Sequence, residues 1–112
     1  MCTQKQAYSI LAEVCNSCRQ LSTFTVKEAY LYGSYARGDF HADSDVDILL
    51  IYDADAPEIA SLRKDIAKVS SKVSLEHDVT VSVTAKPKEQ FERFAQTLPY
   101  YKNVLREGIR YA

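Results

Sequence analysis

The run Val46-Asp47-Ile48-Leu49-Leu50-Ile51-Tyr52 constrains this chain more than any other segment. Long and apolar at both parities, residues 45 to 52 predict a strand near the centre of a sheet, covered on both faces. At its mouth stand two carboxylates, Asp45 and Asp47, one residue apart. Alternate side chains of a strand share a face, so the two point the same way. Like charges that close repel, and burying them is costly unless a cation lies between them. A hard divalent ion such as Mg2+ answers that need, because it takes oxygen ligands and is typically held by one or two carboxylates plus substrate phosphates.

Upstream, Gly33-Ser34-Tyr35-Ala36-Arg37-Gly38-Asp39 follows a short apolar run, Glu28 to Tyr32, that reads as a second strand. Gly33 permits close backbone approach to a ligand and dihedrals closed to other residues. Ser34 offers a hydroxyl contact or a cap for a helical turn over Tyr35-Ala36-Arg37. Backbone N–H groups at such a turn attract anions, a triphosphate among them. Arg37 offers a charge-assisted contact to phosphate, or else a tie to Asp39 or Asp43. Asp also forms turns and caps without any metal, and Asp39, Asp43, Asp53 and Asp55 show the chain uses it freely.

Gly33-Ser34, ten intervening residues and then Asp45-x-Asp47 resembles the signature of the polymerase-beta-type nucleotidyltransferase superfamily. Within it, Gly33-Ser34-Tyr35-Ala36-Arg37-Gly38 is similar to the minimal nucleotidyltransferases, as is the tail from Pro99 to Ile109. The resemblance implies a small mixed α/β (α+β) sheet flanked by helices. It implies Mg2+, as a pair of ions, and ATP as substrate. Asp45 and Asp47 would hold metal, with Gly33, Ser34 and Arg37 at the nucleotide. The third metal carboxylate would lie on a neighbouring strand, and Asp78, opening Asp78-Val79-Thr80-Val81-Ser82-Val83, is the candidate. It would help to deprotonate or orient an attacking hydroxyl. Glu76 shares its parity and is the fallback.

The rest of the chain reads as one domain over residues 1–112. Its 46% hydrophobic and 26% charged content suits an ordinary core and surface. A net charge of −1 argues against a protein that coats nucleic acid. No stretch reaches the length of a membrane span, and the first residues lack a signal-peptide core, so a cytoplasmic location is expected. Three cysteines, an odd count, disfavour a disulfide framework. Cys15 and Cys18 fall on the apolar stripe of a helix over residues 4 to about 21, which favours plain packing over metal or redox chemistry. His41 and His77 read as an isolated loop residue and a strand-edge residue. Asp55, Pro57 and Glu58 signal a helix start, and Ile59, Leu62, Ile66, Val69 and Val73 mark its buried face. A strand over Asp78 to Thr84, a helix opened by Pro87, and a last helix from Pro99 to Gly108 complete the order. The helices are expected in one layer against the sheet.

Eight tyrosines and no tryptophan suit half-buried positions or an interface. Three functions follow. The resemblance implies transfer of AMP from ATP to a protein hydroxyl, Tyr foremost, on a HEPN-family toxin for which this chain is the antitoxin. The alternatives are a non-catalytic antitoxin that neutralises the toxin by contact, and nucleotidyl transfer to a small molecule. An intact Gly33-Ser34 and Asp45-x-Asp47 favours the first. The absence of an acceptor domain disfavours the third.

Overall fold

The computed structural model describes residues 2–111. The first helix, α1 (Gln4–Arg19), starts at a capping box. Thr3 accepts from the Gln6 N–H while the Gln6 side chain reaches back to the Thr3 N–H, which satisfies two orphan donors at once. Strand β1 (Thr25–Tyr32) leads into the short helix α2 (Ser34–Arg37) and on to β2 (Val46–Asp53). Helix α3 (Ala56–His77) carries a second capping box, Asp55 with Glu58. It joins β2 to the parallel strand β3 (Val81–Pro87), as a parallel pair requires a long crossover. Helices α4 (Lys88–Phe94) and α5 (Pro99–Glu107) and the two-residue β4 (Ile109–Arg110) finish the chain.

The sheet runs β3-β2-β1-β4, with β1 antiparallel to both β2 and β4. β2 therefore has a strand on either side, as its apolar run predicts. The helices are not in one layer, however. Ile48 and Leu50 face α1 and α3, whereas Leu49 and Ile51 face Phe91 of α4 and Tyr101 and Val104 of α5. Because β2 is apolar at both parities, one layer of helices would leave half of it in water. Burying each such Leu or Ile contributes about 1.5–3 kcal/mol, so the second layer is well supported.

Two boundaries differ from expectation for local reasons. β1 begins at Thr25 rather than Glu28, and a bulge between Val26 and Glu28 breaks the alternation that would have shown it. The strand expected from Asp78 begins instead at Val81. α3 runs through His77, and Asp78 ends it in the left-handed conformation, φ 51°, which Asp tolerates better than most residues. The Val79 N–H then bonds the Ser74 carbonyl at 3.2 Å. Ser74 Oγ accepts from the Val81 N–H at 3.0 Å, so α3 itself fixes where β3 starts.

Candidate functional site

Asp47 is the second residue of β2, and its register partners are Tyr32 on β1 and Ser82 on β3. Gly33 follows Tyr32 directly, which brings the turn over the Asp47 carboxylate. A Cβ on Gly33 would lie 2.5 Å from Asp47 Oδ2, so no side chain fits there. Gly33 also has φ 77° and ψ −157°, a region essentially closed to residues other than Gly. The turn and the carboxylate thus form one unit.

Gly33, not Ser34, is the N-cap of α2, and Ser34 is the first helical residue. The Ala36 and Arg37 N–H groups both bond the Gly33 carbonyl at 3.1 Å. Gly38, φ 90°, closes the turn by donating to the Ser34 carbonyl at 2.9 Å. The turn is braced from below. Tyr35 is buried, stacks on Phe40 with ring centroids 4.4 Å apart, and donates its hydroxyl to the Cys2 carbonyl at 3.3 Å. Gln4 Nε2 donates to the Tyr35 carbonyl at 2.8 Å. These ties hold the Gly33-Ser34 backbone in place before any ligand arrives.

Asp45 is exposed and immediately precedes β2, where the Val46 N–H bonds the Thr80 carbonyl at 2.8 Å. Asp47 is half-buried. Burial pushes its carboxyl above the ordinary range, the charge of Asp45 adds to this, and Arg37 offsets part of it. A half-buried carboxyl raised by burial and by a neighbouring carboxylate, with none of the described hydrogen bonds to satisfy it, fits a hard cation held between the two.

Arg37 ties to Asp39, one of the two loop partners open to it, through Nε at 3.1 Å. It also reaches Glu107 at the end of α5, at 3.4 Å. Tyr32, Gly33, Arg37, Tyr100, Asn103 and Glu107 line a cavity of about 260 Å³ beside the turn. Across it the Tyr100 hydroxyl donates to the Tyr32 hydroxyl at 3.1 Å. Two larger hollows, about 610 and 560 Å³, lie at the far end of β2 and along the outer side of β3. Only the second touches the site, through Asp45.

The structure does not bring Asp78 into β3 beside Asp47. It sits at the end of α3, three residues ahead of the strand's first residue Val81. The alternation that assigned it to Asp47's face therefore does not apply. Glu76 is also helical and exposed, with Lys72 at 3.9 Å. Its carboxylate groups with Glu13 and His77, whose ligand atoms all lie within 4.8 Å of one another. That cluster joins α1 to α3 through a His77–Glu13 contact of 2.9 Å, and His77 is helix-terminal rather than at a strand edge. His41 accepts from the Asp43 N–H within its own loop. Cys15 and Cys18 are fully buried in α1, as packing residues should be.

Sequence reasoning did not single out Tyr32, Ser82 or Glu107. Parity alone could have placed Ser82 on a carboxylate-bearing face, but its pairing with Asp47 depends on where β3 begins.

The chain matches the family model of the nucleotidyltransferase domain over residues 11–111. It is 30% identical over 98 residues to a Methanocaldococcus jannaschii protein named provisionally as a protein adenylyltransferase, covering 88% of this chain and 90% of that one. Among solved structures, a mutant MntA–HpeT toxin–antitoxin is similar with TM-score 0.56 and 20% identity, over 100% of this chain and 73% of the other. A toxin–antitoxin structure with AMP-PNP is similar with TM-score 0.54 and 18% identity, over 96% of this chain and 70% of the other. At these identities the two structural likenesses speak to the fold.

Proposed function

Because the chain belongs to the nucleotidyltransferase family, we propose that it transfers AMP from ATP to a hydroxyl, foremost a Tyr, of a HEPN-family toxin, acting as that toxin's antitoxin. The observation that carries this reading is the packing of Gly33 on the Asp47 carboxylate, with Asp45 just ahead of the same strand. It sets the backbone turn at Gly33 directly against the carboxylates that this reading gives to the cation. The adenylyltransferase relative supports the reaction class, and the toxin–antitoxin neighbours, one of them with AMP-PNP, support the partner and the nucleotide.

In this reading Asp45 and Asp47 hold Mg2+ together with the phosphates of ATP. When bound, the ion neutralises phosphate charge and favours attack at the α-phosphorus. The Gly33-Ser34 backbone, fixed by the Tyr35 and Gln4 ties, positions the triphosphate. Arg37 leaves the exposed Asp39 or the half-buried Glu107 and turns to phosphate. The acceptor hydroxyl would then give up its proton to solvent as its oxygen bonds to the α-phosphorus, the bond from that phosphorus to pyrophosphate would break, and pyrophosphate would leave. In this reading, docking of the partner orients the hydroxyl. We place the reaction in the cytoplasm, where three free and buried thiols are at home.

Incubation of the protein and its partner with ATP and Mg2+, followed by intact mass spectrometry of the partner, tests the proposal. The expected result is an added AMP mass that disappears with Asp45→Asn, Asp47→Asn. Full neutralisation of the toxin by that variant, without added mass for the wild type, would instead establish the contact-only antitoxin.

A further inference from the structure

Ser82, not a carboxylate, stands beside Asp47 on β3, and this limits what the site can hold. Parallel pairing aligns Asp47 with Ser82 and Leu49 with Thr84. The intervening Val81, Val83 and Ala85 pack in the core on the α1 and α3 side. Ser82 and Thr84 therefore share the face of Asp47 and Leu49. On the other flank the partner of Asp47 is Tyr32, again a neutral hydroxyl. Other candidate carboxylates have other positions or partners: Glu107 pairs with Arg37 and Arg106, Asp39 with Arg37, Glu76 groups with Glu13 and His77, and Asp78 ends α3.

Two ions acting on one phosphoryl centre sit about 3.5–4 Å apart, close enough for one carboxylate to bridge them. Asp45 and Asp47 can supply the bridge and one further ligand. The second ion is then left without a carboxylate of its own, and a neutral hydroxyl is a poor substitute for so strongly hydrated a cation. Resting on the nucleotide-binding reading above, we infer that this site takes one divalent ion with its nucleotide, and that Ser82 occupies the position from which a second ion would be anchored. The acceptor hydroxyl is then not activated by an ion on this chain.

Electron paramagnetic resonance with Mn2+ and a nonhydrolysable ATP analogue distinguishes the cases, because two ions within about 4 Å give a spin-coupled spectrum and one gives an isolated-ion spectrum. The wild type is expected to show the isolated ion, at about one Mn2+ per bound nucleotide, and Ser82→Ala the same. Ser82→Asp, at an exposed position on an edge strand, is expected to show the coupled pair, about two per nucleotide. Ser82→Asn controls for side-chain size and should remain at one. A coupled pair in the wild type would overturn the inference while leaving the nucleotide reading standing. An isolated ion in a folded Ser82→Asp would overturn the role of Ser82. No Mn2+ held with nucleotide in any variant would defeat the nucleotide reading itself.

Discussion

The Gly33 backbone and the Asp47 carboxylate are packed so closely that a single added carbon atom would collide with Asp47 Oδ2 at 2.5 Å. Gly33 is thus held twice, by its backbone dihedrals and by the carboxylate. Gly33→Ala should cost about 1–3 kcal/mol of stability from the dihedral alone. It should also displace the Asp47 side chain and weaken nucleotide binding. Thermal denaturation and titration with a nonhydrolysable ATP analogue read the two effects separately, and loss of stability without loss of binding would divorce the turn from the site.

Asp47 should be a liability to the metal-free fold. Burial and the neighbouring Asp45 raise its carboxyl above the ordinary 3.8. The native state then binds more protons than the unfolded chain, so stability is lost as pH rises through the interval above 3.8. Below that interval both states are protonated and the penalty vanishes. Asp47→Asn is expected to stabilise the metal-free protein modestly at neutral pH, since solvent screens part of the repulsion. The gain should shrink as the pH falls toward 4, which denaturation curves at several pH values would reveal. A gain that stays constant across that range would show that repulsion is not its source.

Tyr52 presents a different cost. Its hydroxyl is buried in the core beside the Cys18 thiol, a weak partner at best, and makes no hydrogen bond of ordinary geometry among the described residues. An unsatisfied buried polar group costs about 1–3 kcal/mol. Tyr52→Phe keeps the ring and removes the penalty, so it should raise stability by about 1 kcal/mol. Equilibrium unfolding in urea measures it, and a destabilised variant would mean that the thiol does bond the hydroxyl.

Much of this arrangement could be read from residue order alone, and the exceptions have physical causes. The centre of the sheet was legible because β2 is apolar at both parities, and the cap at Asp55 because its partner Glu58 stands three residues on. The turn at Gly33 ahead of β2 was legible because its backbone geometry depends on residue type. The third carboxylate was not. Asp78 before a β-branched run looks like a strand start, but the side chains of Ser70 and Ser74 hold Val81 instead and leave Asp78 to end the helix. A shift of three residues in one strand start exchanges the neighbours of Asp47. No local pattern records it, because the register is set by contacts between elements far apart in sequence. The second helical layer was missed for a related reason, since α4 and α5 show their apolar faces only once a sheet face exists to receive them.

Arg37 is poised between two uses. Its guanidinium holds Glu107 at 3.4 Å and Asp39 at 3.1 Å on the rim of the cavity beside Gly33. Any phosphate that enlists Arg37 must compete with those carboxylates. Glu107→Gln removes one competitor and the negative charge at the cavity, and should tighten nucleotide binding. Exposed pairs are weak, so the expected gain is roughly two- to fivefold. Calorimetry at low and moderate salt checks it, with the larger gain at low salt. Weaker binding in this variant would mean that Glu107 serves the site directly.

Asp45 and Asp47 should not contribute equally. Asp47 is half-buried, held against Gly33 and flanked by strands on both sides, so its carboxylate is already oriented. Asp45 is exposed and lies just outside β2, where orienting it on binding carries an entropic cost. Asp47→Asn should therefore abolish nucleotide-dependent Mg2+ binding, whereas Asp45→Asn should weaken it by about 10–100-fold, the range seen when a supporting group is lost at a metal site. Asp45→Asn also removes the charge that raises the Asp47 carboxyl, so part of its loss should be recovered by better ionisation of Asp47 at low pH. Titrations of both variants with Mg2+ and a nonhydrolysable ATP analogue, at pH 5 and pH 7.5, measure the order and the recovery. If Asp45→Asn proves the more damaging of the two at both pH values, the ion is centred on the exposed carboxylate and the turn at Gly33 does not define the site.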